Sequence, residues 1–372
     1  MILAFTLLAV PSHAAFSSIY IFGDSVSATS SNAVTGSITN LYYGKRYSNG
    51  RTWAEVLAQR QGLGANSLTN AVWSFSSNNV SFFGHWSALM VTNVKNFTAP
   101  SNATNCLFVV WVCNADFVGD VGGYFAGPNL GPPNGTNTAD WTAAINQHLT
   151  NHFRALTNLY AKGCRTLIAP NAVDIMAVPN YNGSPPAYRA FVRQRIINFN
   201  TNFAAMLAQV AASSPGLKIY TPDIFSLLDS VITNAASYGL TNATVGGVTA
   251  SATGGNLAGV AINGLGTNYI FWGDTGDPSA RFNAVIADTA QQLLSPVSLA
   301  DITPVNTSNQ LQLVNAPVGM NGIVQFLSDL AQTNWQTNSF FTVSNVAQTV
   351  FVNPTNSLRF YRLKFPWQWT WP

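Results

Sequence analysis

Ser18-Ile19-Tyr20-Ile21-Phe22-Gly23-Asp24-Ser25-Val26 is the stretch from which the rest of the chain can be read. Ile19 to Phe22 is an apolar run of strand length, and Gly23-Asp24-Ser25 ends it with turn-forming residues. A nucleophilic serine needs exposure at a strand end, a base within reach and donors for an oxyanion. Ser25 has the first of these. As an isolated tripeptide, Gly-Asp-Ser marks no more than a turn, so the neighbouring segments decide.

Outward from this strand, apolar runs alternate with helical spacing. Thr52 to Gln61 places Trp53, Val56 and Leu57 on one helical side. Cys106 to Val112 is continuously apolar, β-branched and aromatic, which predicts a strand buried on both faces. A long helix from about Ala139 to Lys162 stops at Gly163, and strands follow at Thr166–Pro170 and Leu217–Tyr220. Further helices are expected over Ala187–Ala212 and Asn283–Leu294, with Gly-, Asn- and Thr-rich loops at Gly119–Thr138 and Ala235–Gly266. Strands alternating with helices imply a parallel sheet covered on both faces, an α/β architecture. Past Ser295-Pro296 the pattern changes to short strand-like pieces, Leu311–Leu313, Ile323–Phe326, Phe340–Val343, Val350–Val352 and Arg359–Leu363. The chain therefore divides into a segment 15–295 and a small all-β module 296–372, behind a candidate signal peptide at 1–14.

Composition narrows the function classes. The chain has 372 residues, 47% of them hydrophobic and 12% aromatic, so it can bury a sizeable core and is not disordered. Only 8% are charged, against roughly a quarter in ordinary soluble domains, and the formal net charge is +3. No polybasic stripe or acidic tail is present, which argues against a nucleic-acid partner. The apolar runs are too short for a transmembrane segment. Ile2 to Val10 followed by Pro11-Ser12-His13-Ala14-Ala15 has signal-peptide length and small residues at a cleavage spacing, although no Lys or Arg precedes it. Export to a secreted, periplasmic or cell-surface location is the expectation. Three cysteines, Cys106, Cys113 and Cys164, cannot form a disulfide framework. Cys106 and Cys164 each open an apolar run and can lie side by side, as buried thiols or as a pair.

The wider pattern resembles the SGNH, or GDSL, hydrolase family of lipases and acyl esterases. Phe22-Gly23-Asp24-Ser25 is similar to its first block, and Arg46-Tyr47-Ser48-Asn49-Gly50-Arg51-Thr52-Trp53 to a segment of the larger, plant-type and haemolysin-like members. Leu159-Tyr160-Ala161-Lys162-Gly163-Cys164-Arg165, Phe199-Asn200, Tyr220-Thr221-Pro222-Asp223 and Ser237-Tyr238-Gly239 follow in the family's order, and Phe271-Trp272 opens its last block. The resemblance spans roughly residues 18–293. It implies a three-layer α/β/α sandwich, Ser25 as nucleophile, and an Asp-x-x-His in the last block as orienter and base. It also implies an oxyanion hole made of the serine amide, a block-two glycine amide and a block-three asparagine, and no cofactor or metal.

Carried over by position, the sequence departs from this pattern three times. The last block reads Trp272-Gly273-Asp274-Thr275-Gly276-Asp277-Pro278, so Asp274 matches the orienter while Asp277 stands in the histidine's place. Block two, Asn70-Ala71-Val72-Trp73-Ser74, has Trp73 and Ser74 where glycines belong. Block three reads Cys113-Asn114-Ala115-Asp116, and an ungapped match puts Ala115 at the asparagine position with Asn114 one residue early. Losing an oxyanion donor costs on the order of a hundred- to a thousandfold in rate, and losing the base on the order of a millionfold.

Other histidines are candidate substitutes for the base. His148 and His152 are four apart on a helix, a spacing that can ligate a metal, but the glutamate of an HExxH motif is missing. His152 falls in a stripe with Ile145, Leu149 and Leu156, which favours packed histidines. His85, in Phe82-Phe83-Gly84-His85-Trp86, is the histidine expected near the catalytic end of the sheet, as a substitute base or as a structural residue. The terminal Trp367-Gln368-Trp369-Thr370-Trp371 can form a stacking platform for sugars or cap an edge strand.

Two functions follow. One is an exported serine ester hydrolase acting on a lipid, glycan or small-molecule ester and impaired at Asp277. The other is an inactive member of the same fold that binds an acylated or glycan ligand, with the β module contacting a surface or glycan.

Overall fold

The computed structural model describes residues 16–28, 46–63, 86–122, 135–240, 244–245, 248–249, 269–272, 276–305, 308–352 and 359–365. The leader 1–14, Trp73, Ser74, His85, Asp274 and the aromatic tail 367–371 lie outside the described residues.

Four short strands form a parallel sheet in the order β1 (Ile19–Gly23), β2 (Leu107–Trp111), β3 (Thr166–Ile168) and β4 (Lys218–Tyr220). Register runs Ile19 opposite Leu107, Leu107 opposite Thr166, and Thr166 opposite Lys218. Every residue of β2 is buried, which is why its sequence shows no alternation of apolar and polar residues. A parallel sheet built in sequence order needs a crossover between each pair of strands, and right-handed crossovers in one direction collect their helices on one face. Here α2 (Ser87–Asn96) packs on α4 (Thr138–Ala161), and α4 on α5 (Pro186–Ser213). The other face is closed by α1 (Trp53–Arg60), which lies against α7 (Ala280–Leu294) at the end of the sandwich sequence. Two further helices occupy the carboxyl ends of strands: α3 (Cys113–Val121) follows β2 directly, and α6 (Ile224–Thr233) follows β4. Small hairpins, β5–β6 (Thr244–Val245, Val248–Thr249) and β7–β8 (Phe271–Trp272, Asp277–Pro278), precede α7.

This is the α/β/α sandwich expected from the sequence. Helices α2, α3 and α6 come in addition to the elements that the sequence pattern predicts. α3 is short and starts immediately where a strand ends, so its apolar residues merge with the run of β2; α2 has only Met90 and Val94 as buried apolar anchors. The cysteines are free and buried; burial pushes the Cys164 thiol up to about 12, so it carries no thiolate at neutral pH.

After α7 come β9 (Ser298–Val305), β10 (Ser308–Val314), β11 (Asn321–Leu327), β12 (Gln336–Thr342), β13 (Gln348–Val352) and β14 (Phe360–Lys364). They form two antiparallel sheets, ordered β13-β10-β9 and β12-β11-β14. Leu311, Leu313, Val324, Val350 and Val352 meet between them in a hydrophobic cluster separate from that of the sandwich. The sequence does not signal strand β9 because its exposed stretch, Asp301-Ile302-Thr303-Pro304, shows no alternating apolar face and contains a proline. The two parts touch at Arg60: its Nη1 donates to Val318 O at 3.0 Å, its own carbonyl accepts from Val318 N at 3.3 Å, and its Nε donates to Asp288 Oδ1 at 2.7 Å.

Candidate active site

Ser25 sits where β1 ends, in a single tight turn spanning Ser25–Ser27. Asp24 makes that turn. Its amide still bonds to Trp111 O of β2, while its carboxyl caps the turn through Val26 N at 3.1 Å and receives Ala115 N of α3 at 3.3 Å. Burial pushes Asp24 up to about 7, with the two amides working against the shift. Gly23 is required for a spatial reason. A Cβ there would lie 2.4 Å from Ser27 Cβ and 3.2 Å from Trp111 O, so a side chain would push the turn off the strand. Ser27 Oγ in turn accepts Trp53 Nε1 at 3.0 Å, which fixes the turn to α1.

The segment Arg46 to Trp53 aligns the two ends of the chain that meet at the site. Glu55 is buried and takes a bidentate bond from Arg46, Nε at 2.6 Å and Nη2 at 2.7 Å, while also accepting Thr52 N at the start of α1. Asn49 Oδ1 accepts Ala280 N, and Asn283 Oδ1 accepts Trp53 N, both at 2.8 Å. Each asparagine therefore satisfies a free amide at the other segment's helix start. The first turns of α1 and α7 are locked together, and Asp277, three residues before α7, is delivered to Ser25.

Ser25 Oγ donates to Asp277 Oδ1 at 2.9 Å. Both residues line a cavity of about 350 Å³ at the carboxyl end of the sheet. Its polar side includes Asp24, Ser25, Asn114, Asn180 and Asp277; its apolar walls include Trp86, Val118, Ile175, Leu228, Phe282 and Ile286. No lysine, arginine or histidine is among the described residues lining it. Asn114, at the second position of α3, is aimed by its oxygen, which accepts Val173 N at 3.0 Å. That bond leaves the buried amide Nδ2 without a well-formed hydrogen bond, although it interacts with the Asp24 carboxyl and works against the rise of that group's pKa. Asn114 and Ala115 both line the cavity, but Ala115 contributes only its backbone to Asp24, so of the two it is Asn114 that offers a side-chain donor.

His148 and His152 are both fully buried in α4. His148 Nε2 lies 3.0 Å from Asp120 Oδ2, and Nδ1 lies 3.6 Å from Asp116 Oδ1. Burial alone would push His148 down, but Asp116 and Asp120 outweigh it and hold the imidazole up at about 9. His152 bonds to His148 O through Nδ1 at 2.8 Å, packs on Phe199 and Phe203, and is pushed down to about 4 by burial. One helix thus carries a charged and a neutral histidine four residues apart. Sequence reading missed Asp116 and Asp120 as partners of His148; their own four-residue spacing on α3, matching the step along α4, was the available signal. It also missed Asn283, the cap that joins α1 to α7.

A strand-end serine bonded to a carboxylate above an apolar cavity, on a parallel α/β/α sandwich, defines a hydrolase-type scaffold. Residues 19–290 match the family model GDSL-like Lipase/Acylhydrolase, and the chain belongs to that family. It is 23% identical over 214 residues to a GDSL esterase/lipase of Arabidopsis thaliana, covering 55% of this chain and 54% of the relative. A second Arabidopsis thaliana GDSL esterase/lipase is 25% identical over 172 residues, 44% of this chain and 45% of the relative. The chain thus aligns with about half the length of the relatives it matches. Among the described residues no helix is long and apolar enough to cross a membrane.

Proposed function

We propose that the protein is an exported serine ester hydrolase whose turnover is limited by a carboxylate at the base position. The observation that carries this reading is the 2.9 Å hydrogen bond from Ser25 Oγ to Asp277 Oδ1 at the cavity. In the reaction, Ser25 Oγ attacks the acyl carbonyl as Asp277 takes its proton. Negative charge gathers on the former carbonyl oxygen, where Asn114 Nδ2 and the Ser25 amide stabilise it. Asp277 then returns the proton to the departing alcohol, and water releases the acyl group by the same steps. Asp274 orients this side of the site. Trp73 or Ser74 is the alternative to Asn114 as a further oxyanion donor, and His85 is the reserve base should one operate.

The chemistry explains the limit. A carboxylate ordinarily holds its proton near pKa 3.9 and an imidazole near 6.5, a difference worth about 3.5 kcal/mol of proton affinity. Asp277 is therefore a weak match for a serine proton at neutral pH. The cavity's apolar walls and its lack of cations among the described lining residues favour a neutral ester with an apolar acyl part over an anionic substrate. The β module from residue 296 is taken as a separate unit, on the strength of its own hydrophobic cluster.

The carboxylate at the base position also favours a second reading, a protein of this fold that binds an ester or glycan ligand without turnover. Hydrolysis of a short-chain p-nitrophenyl ester separates the two, with Ser25→Ala and Asp277→His beside the parent. Turnover in the parent that vanishes in Ser25→Ala supports a hydrolase with a carboxylate or reserve base. Turnover confined to Asp277→His supports a sound scaffold limited at one residue. Silence in all three, with the proteins folded, supports the binding reading.

A further inference from the structure

Behind the cavity wall lies a cluster that the chemistry above does not use. Asp116 and Asp120 stand one turn apart on α3, and His148 of α4 reaches both. All three side chains are fully buried. Asp116 does a second job: its Oδ1 accepts Ser87 N at 2.8 Å, the first amide of α2. Asn151, one turn beyond His148, donates from Nδ2 to Ser87 Oγ at 3.1 Å. Three helices therefore converge on one dry set of polar groups. The same helices carry the cavity wall. Asn114 and Ala115 precede Asp116 directly, and Trp86 precedes Ser87. Trp86 also rests on the last turn of α3 at Gly119, where a Cβ would meet its Nε1 at 2.7 Å, so the start of α2 and the body of α3 cannot shift independently.

We propose that His148, held between Asp116 and Asp120, is a positioning residue for the Ser25 site: it fixes α3 against α4 and the start of α2, and so sets the wall that Asn114, Ala115 and Trp86 present to the cavity. This rests on the hydrolase reading for its effect on turnover, though not for its effect on the wall. An apolar contact could hold α3 to α4, but it would not fix the rotation of α3 about its axis. The 3.0 Å hydrogen bond from His148 to Asp120 does fix it, because a hydrogen bond is directional where apolar packing is not, while Asp116, 3.6 Å from the imidazole, adds charge attraction and is itself held by Ser87 N. Rotation matters here because Asn114, which lines the cavity, stands about 200–240° around α3 from the two carboxylates. Other titratable groups close to the cluster are Cys113 on α3, Asp24 after β1, His152 on α4 and Tyr188 on α5.

The test uses the full chain carrying His148→Gln or Asp120→Asn. Phe203→Leu serves as the control, since it loosens packing on α4 at His152 without touching either carboxylate. All are compared well below their melting temperatures. Two readouts are taken: amide exchange at Ala115 and Ser87, and kcat against KM on a p-nitrophenyl ester in the parent and Asp277→His backgrounds. The expected result is exchange at both amides faster by about tenfold or more in His148→Gln than in the control. Turnover should fall on the order of tenfold in kcat with KM within about twofold, as a small displacement of a transition-state donor requires. Protection at Ala115 and Ser87 equal to the control's would overturn the proposal, as would a kcat loss that the control shares. If His148→Gln does not fold, Asp120→Asn decides by the same readouts. If no background turns over, the hydrolase reading fails, and the exchange rates alone settle the role of His148.

Discussion

At two places in this molecule a carboxylate meets a group that can exchange a proton with it, and the surroundings give the two meetings opposite characters. At the cavity, Ser25 donates to Asp277 beside open space, with the Asn114 side chain also lining it. Between α3 and α4, His148 is enclosed by Asp116 and Asp120 in a fully buried cluster. The imidazole that would suit the first place is spent in the second. A histidine between two carboxylates in a dry interior stays charged and immobile, which suits a clamp. A histidine beside one serine and an open cavity is free to take and return a proton, which suits catalysis. Which residues stand in each place, more than the fold, decides what the scaffold can do.

The largest expected effect lies on the buried side. His148→Ala leaves two buried carboxylates without their cation and should cost about 3–5 kcal/mol of stability, measured by urea denaturation. Asp277→Ala, at the cavity, should change stability by less than about 1 kcal/mol on the same scale. Equal losses at both positions would erase the distinction between clamp and reactive site. Next, Asn114→Ala should lower kcat on the order of a hundredfold in a background that turns over, about 3 kcal/mol, with the melting temperature only slightly reduced. Retained kcat would remove Asn114 from the oxyanion site.

The pH dependence of stability sharpens the same contrast. His148 is held at about 9 in the folded protein against about 6.5 unfolded, so its contribution is complete below 6.5 and is lost as pH rises toward 9. Melting temperature should therefore fall between pH 7 and 9, by the equivalent of up to about 3 kcal/mol. That slope should flatten in His148→Gln and persist in Asp277→Asn. A slope unchanged in His148→Gln would show that another group is responsible. The smallest effect concerns the cavity wall alone. Asp223 caps α6 through Ser226 N at 3.1 Å, and α6 supplies Leu228 to the cavity. Asp223→Ala should cost about 1 kcal/mol and raise KM more than it lowers kcat. A reversed split would tie α6 to the reacting end of the site.

Much of this was legible in the residues because it rests on local pattern. The continuous apolar run at Cys106–Val112, the helical spacing of Ala139–Lys162 and the turn at Gly23-Asp24-Ser25 each reflect a short-range rule, and the structure has a strand, a helix and a turn at those places. The division of labour among the histidines was not legible. His148 and His152 share one apolar stripe, and only the carboxylates of α3, more than twenty residues away in the chain, make one a cation while burial keeps the other neutral. Helix α3 was itself hidden by β2, and with it the rotation that gives Asn114 rather than Ala115 the side-chain donor at the cavity. The Arg46–Trp53 segment carried a family pattern, but its work, capping α1 and α7 against each other, depends on Asn283 some 230 residues later.

The hydrolase proposal places the main limit on turnover at the base position, Asp277. The most direct measurement is Ser25-dependent hydrolysis of a p-nitrophenyl ester by Asp277→His, against the parent and the double variant Ser25→Ala/Asp277→His. The account predicts a gain of at least about a hundredfold in kcat over the parent, abolished in the double variant. A folded Asp277→His protein that turns over no faster than the parent would contradict it.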